Sequence, residues 1–180
     1  RFGCVHRGRV WLAGCEDPYL VWLSKYMRAG EGIAFSDEFT LDFRDQGQPI
    51  TGLASLEDKL VVFTASQTFV VHGDGPVDAG GDPGLDPPLR VSAQVGCIED
   101  RSIVQCPAGV FFMARDGIFQ IDKGLGVTFG GASALETVRA YPYCYAAIHA
   151  ESEHQVRWLL GTATLPSSGN SIILSYDFLH

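Results

Sequence analysis

No run of this chain stays apolar for the roughly 18 residues that a membrane-crossing helix needs, and no charged-then-apolar leader opens it. Neither a membrane-spanning helix nor a signal peptide is visible in these residues. Basic residues are scarce: 13 Lys and Arg against 21 Asp and Glu leave a formal charge of −8. Affinity for phosphate backbones comes from clustered cations, so this balance argues against a general nucleic-acid-binding surface. It is compatible with a conduit, because weak or repulsive contact lets DNA slide. Paired-cysteine motifs are missing too. Cys4, Cys15, Cys97, Cys106 and Cys144 are odd in number and scattered, which suits buried thiols in a reducing compartment better than a disulfide framework. Apolar spacing of three and four, the mark of helical repeats, is also absent from the repeated segments.

What the chain does have is a repeat. Thr51–Val71 aligns without a gap on Arg101–Ile121, an offset of fifty residues. Leu60/Val110, Val61/Phe111, Val62/Phe112, Phe63/Met113, Phe69/Phe119 and Val71/Ile121 keep apolar character at that offset. The same strand recurs at Arg9–Ala13 and, after a small contraction, at Val156–Leu160, so that Val10–Ala13, Leu60–Phe63, Val110–Met113 and Val156–Leu159 are expected in equivalent strands. A period of this size belongs to β-propellers, in which each small antiparallel sheet stacks on its neighbours. The expectation is an all-β chain over residues 1–180, with units near 1–43, 44–89, 90–140 and 141–180. The first and last copies lack strands and position 1 is not Met, so the chain reads as part of a larger propeller.

Between these strands, Phe39–Phe43 alternates as a half-buried strand, and Asp116-Gly117 reads as a tight hairpin turn. A short helix is expected within Gly130–Ala140, with Ser133 as cap and Glu136 three residues on. Gly73–Pro88 is rich in Gly, Pro and Asp and reads as a long exposed loop serving an interface. Its Asp74, Asp78, Asp82 and Asp86 recur every four residues. Calcium loops place carboxylates two apart around a fixed glycine, so a solvated acidic loop is the better reading.

Cys4 with His6, and His149 with His154, are the soft metal ligands, but no CxxC or HxxxH pair accompanies them and no metal or cofactor is expected. Asp37, Glu38, Glu99, Asp100 and Asp116 are the acid and base candidates for hydrolysis. They do not form a set shared between repeats, and no nucleophile or nucleotide motif is present, so no catalytic residue is assigned. Gly130-Gly131 fits a turn or close backbone approach better than a kelch unit. Trp11, Trp22 and Trp158 lie within apolar strands, as core or interface residues do.

The order Arg9-Val10-Trp11-Leu12-Ala13-Gly14, Asp17-Pro18, Val21-Trp22-Leu23-Ser24, then Phe39 and the hairpin Leu60–Val71 resembles propeller proteins of tailed-bacteriophage virions. The likeness is to the tail nozzle family of short-tailed phages, also called tail tubular protein B, and covers about Phe2–Ile121. The Cys residues and the Pro-rich loop depart from that pattern. The resemblance implies a non-enzymatic structural virion protein, a viral tail protein forming an oligomeric ring or connector for DNA ejection. Its partners would be copies of itself and other tail proteins, with DNA in the lumen but not specifically bound. It would be assembled in the host cytoplasm and located in the virion. Two other classes stay open: a carbohydrate-binding or carbohydrate-processing propeller, and a kelch-like interaction module.

Overall fold

Runs of β-branched and aromatic residues, cut by Gly, Pro, Asp and Asn, favour short strands joined by turns. The computed structural model describes residues 1–76, 84–130, 134–164 and 169–178, and is all-β apart from one short helix and single 3-10 turns. The first sheet comprises β1 (Phe2–His6), β2 (Arg9–Ala13), β3 (Leu20–Ser24) and β4 (Phe35–Asp42). The second comprises β5 (Ile50–Leu56), β6 (Lys59–Thr64), β7 (Thr68–His72) and β8 (Leu89–Ser92). The third holds β9 (Val104–Cys106), β10 (Gly109–Ala114), β11 (Gly117–Ile121) and β12 (Val127–Phe129), and helix α1 (Leu135–Ala140) follows. The fourth holds β13 (Tyr143–Ala150), β14 (Gln155–Gly161) and β15 (Ser171–Asp177). Every sheet is an antiparallel meander with neighbouring strands in chain order.

The chain divides into two compact units, Arg1–Gly96 and Cys97–His180, each containing two sheets. In the first unit, Trp11, Ala13, Val21, Leu23 and Phe39 of the first sheet pack against Ile50, Leu53, Leu60, Val62 and Phe69 of the second. In the second unit, Phe111, Met113 and Ile118 of the third sheet pack against Val156, Trp158 and Leu160 of the fourth. Phe111 is fully buried, its ring 6.1 Å from that of Trp158 and 5.3 Å from that of Tyr176.

The repeat is visible in the pairing register. Val10 pairs with Val5, Leu60 with Ser55 and Val110 with Gln105, each step moving both partners by fifty residues. Leu60 with Val71 and Val110 with Ile121 repeat the same step on the other side of the strand. In these three sheets the first hairpin closes over two residues: Arg7-Gly8, Glu57-Asp58 and Pro107-Ala108. Arg7 and Gly8 have φ of 46° and 71°, the two positive values that match a type I′ turn to strand twist.

The fourth sheet keeps Val156 in the place of Leu60 and Val110, across a longer hairpin. Its first hairpin closes over Glu151–His154, two residues more than in the other sheets, with a 3-10 turn and His154 at φ 54°. Counted from the hairpin, Gln155 stands where Lys59 stands, and Trp158 corresponds to Val62 rather than to the Trp11 position. A one-residue slip turns a strand's side chains to the other face. Trp11 accordingly packs toward the sheet that follows it, and Trp158 toward the sheet that precedes it.

Other expectations shift locally. β4 begins at Phe35, four residues before the alternation at Phe39. The unit boundary expected after residue 89 cuts through β8, which pairs with β7 and belongs to the second sheet. The turn of the β10–β11 hairpin is Arg115-Asp116, because Ala114 pairs with Gly117. Gly117, at φ 129°, opens β11, and a Cβ there would run into the Phe129 ring. Helix α1 forms, but Ala134 is its N-terminal boundary residue and no side chain caps it; Ser133 and Gly131 lie outside the described residues.

Truncating a buried ring leaves a cavity, so Phe111→Ala is expected to lower unfolding free energy by about 3–5 kcal/mol. Ile33→Ala, on a residue 57% exposed, should stay within about 0.5 kcal/mol. Urea denaturation of both variants checks the pair.

Candidate functional site: the neck of the acidic loop

An arginine at the start of an apolar strand is the key to this site. Strand alternation puts Arg9 on the same face as Trp11 and Ala13, so its guanidinium is carried inward and is only 4% exposed. Among the described residues no carboxylate pairs with it. Instead Nη1 donates to Ser24 O (2.8 Å), Nε to Asp74 O (3.0 Å) and Nη2 to Pro76 O (2.5 Å). The Tyr26 ring lies 5.9 Å from the guanidinium carbon, within cation–π range. The planar fork of arginine suits three diverging carbonyls in a way a lysine ammonium does not.

These bonds close the neck of the acidic loop. A β-bridge joins Gly73 to Leu85, Gly75 N donates to Gly84 O (3.3 Å), and Asp86 N donates to His72 O (2.9 Å). Gly75 has φ 82° and sits so close to Arg9 that a Cβ would stand 3.1 Å from Nε and 2.9 Å from a Leu23 methyl. Glycine is required there on both counts. The Asp74 carboxylate turns outward, 72% exposed, and pairs with Arg7 of the β1–β2 turn. Exposure expected along the whole loop therefore fails at its base, where Gly75 and Pro76 are buried. Asp86 is exposed, and Asp78 and Asp82 lie outside the described residues.

A second polar feature lies on β1. Cys4 and His6 share the face that looks toward the second sheet, as their spacing suggests. Burial pushes the Cys4 thiol up to about 12, and His6 Nδ1 shares a hydrogen bond with Ser55 Oγ (2.8 Å). His6 is 2% exposed, and its Nε2 is buried without a partner. Desolvation, reinforced by the Arg7 charge and only partly offset by Asp58 and Asp74, lowers its pKa from 6.5 to about 4. Among the described residues no three of His, Cys, Asp and Glu come together as a metal-binding group. His149 and His154 instead flank the Phe178 ring, at 5.5 and 6.3 Å.

In the second unit the polar centre is Ser102, fully buried. Its hydroxyl donates to Glu99 O (2.6 Å) and accepts from Met113 N (2.9 Å), while its carbonyl accepts from Trp158 Nε1 (2.9 Å). Burial pushes the Cys97 and Cys144 thiols up to about 12, and no disulfide joins any of the five cysteines. Glu99 holds its proton more tightly than usual, first because burial disfavours the carboxylate and then through its hydrogen bond to Asp100 and that residue's charge. Asp116 sits in a tight turn, and Asp37 and Glu38 are exposed on β4. A cleft of about 140 Å³ in this unit is lined by Ile118, Thr137, Trp158, Ser175 and Tyr176 among others and carries no carboxylate.

No family model matches the chain, and no curated protein matches it. The geometry of the loop neck is thus the main guide to what the first unit does. Among the described residues no helix is long and apolar enough to cross a membrane.

Sequence reasoning missed Arg9 as the loop's anchor. The signal was present: alternation in Arg-Val-Trp-Leu-Ala places a cation on the core face, and a buried cation needs acceptors.

Removing the guanidinium strands three carbonyls, so Arg9→Ala should cost about 3 kcal/mol or more in chemical denaturation. Arg9→Lys should recover only part of that loss. For His6, the unfolded imidazole takes up a proton below about pH 6.5 whereas the folded one waits until about 4. The unfolded state therefore binds more protons in that window, and stability should fall by up to about 3 kcal/mol as pH drops through it. The difference between wild-type and His6→Asn stability curves should isolate this slope; parallel curves would show that His6 does not cause it.

Proposed function

We propose that the chain is part of a β-propeller and a structural component of a bacteriophage tail, a ring-forming nozzle or connector through which DNA is delivered. The observation that carries the architectural half is the fifty-residue step in pairing register, combined with face-to-face packing of successive sheets inside each unit. Small sheets that cannot bury both faces alone stack in this way around an axis. The functional half rests on the resemblance of Arg9–Gly14, Val21–Ser24 and the β6–β7 hairpin to tail-nozzle propellers.

Charge supports the same reading. Asp74 and Asp86 present carboxylates to solvent beside a neck that is held from within by Arg9. An acidic loop fixed in this manner repels a passing DNA backbone or meets a basic neighbouring subunit. Function then lies in surfaces rather than in chemistry, with no catalytic residue and no cofactor. The observation favouring a carbohydrate-processing propeller is the Glu99–Asp100 pair. Its two carboxyls belong to adjacent residues and are hydrogen-bonded to each other, whereas glycosidases hold two carboxyls on either side of the scissile bond, about 5–9 Å apart.

Antibodies against the chain should label the tail end of phage particles that encode it, and the purified protein should leave the anisotropy of a labelled DNA duplex unchanged at about 100 mM salt. Absence from particles, or tight duplex binding, would overturn the reading.

A further inference from the structure

Register assigns every sheet of this chain a polarity. In the first unit, Trp11 and Ala13 of β2 face the sheet that follows, and Leu60 and Val62 of β6 face the sheet that precedes. In the second unit, Phe111 and Met113 of β10 face the following sheet, while Val156 and Trp158 of β14 face the preceding one. A following face meets a preceding face in both cases. The same packing is thus made once in each unit.

Two further faces, one of each kind, carry exposed apolar side chains among the described residues. The preceding face of the first sheet carries Val5, Val10, Leu12, Trp22 and Phe35, with Val5 59% and Phe35 40% exposed. A cleft of about 300 Å³ lies there between Leu12, Trp22 and Phe35, with Glu16 and Asp17 at its rim. The following face of the fourth sheet carries Ile148, Leu159 and Ile173, side chains that pairing puts opposite to Trp158. Ile148 is 57% and Ile173 67% exposed. The same face of the fourth sheet also carries Gln155, Arg157, Ser171 and Ser175, so its apolar side chains stand among polar ones.

We propose that the following face of the fourth sheet in one copy docks on the preceding face of the first sheet in a second copy, head to tail. Ile173 is the projecting side chain and the Leu12–Trp22–Phe35 cleft is its receptacle. The occupant is a second copy because the chain carries both complementary faces, each with exposed apolar side chains, and because a following face on a preceding face is the packing it already uses within each unit. A heterologous contact of this kind builds rings when its rotation closes and filaments when it does not. The inference deepens the oligomeric-ring reading above and rests on its stacked-sheet architecture, not on any location in a virion.

Sedimentation velocity of the 180-residue chain tests it. Wild type should form species heavier than the 19.5 kDa monomer, with mass rising as concentration rises. Trp22→Arg spoils one face and Ile173→Arg the other, so each variant alone should remain monomeric. Mixed in equal amounts, they should form a dimer and nothing larger, because one intact face of each kind is left. The mixture also reports folding, since a misfolded variant cannot complement the other. A wild type that stays monomeric at about 100 µM, a single variant that associates like wild type, or a mixture that stays monomeric overturns the proposal. Association without labelling of phage tails would leave this inference standing and remove the tail assignment; the reverse result would do the opposite.

Discussion

A sheet of three or four short strands with apolar residues on both sides cannot stand alone in water, and the architecture of this chain follows from that. Burial of apolar area contributes about 25 cal/mol per Å², and each strand of five or six residues has little of it to offer on one face. Within each unit the solution is to lay one sheet on the next, so that Trp11 is covered by Leu60 and Val62, and Phe111 by Trp158. Turns, loops and the short helix are subordinate to this requirement. A change in hairpin length is tolerated provided a large side chain still arrives at the seam, as Trp158 does.

Polar groups trapped by this stacking are satisfied locally. Arg9 binds backbone carbonyls rather than a carboxylate, which removes the need to bury a second charge but commits three segments of chain to one position. Ser102 plays a comparable part in the second unit by linking Glu99, Met113 and Trp158. His6 departs from this, with one ring nitrogen bonded and the other buried without a partner, as are Gln67 Oε1 and His149 Nε2. Acid therefore acts directly on the seam between the first two sheets.

The strands and their order were legible because alternation, turn residues and a fixed offset all pointed the same way. Leu60–Phe63 and Val110–Met113 read correctly since an ungapped alignment carries register with it. Trp11 and Trp158 nevertheless face opposite ways, because they stand one position apart when counted from their hairpins, and facing depends on that count. Asp116-Gly117 looked like a positive-φ turn by composition, but where pairing ends decides which residues turn. The loop neck was hidden because it joins Arg9 to residues more than sixty positions away. The acidic residues could be counted in sequence, yet only folding separates Asp74, turned out beside Arg7, from Pro76, drawn in by Arg9.

The closed neck brings the chain on either side of residues 77–83 to one place. With Gly73 bridged to Leu85 and Arg9 holding Asp74, chain inserted beyond them lengthens a segment whose ends are already joined, and the direct penalty is one of loop entropy. That cost grows by merely about 0.6 kcal/mol for each doubling in length. The position is thus an insertion port, where a tag, an epitope or a whole foreign domain can be carried without re-registering the strands behind it.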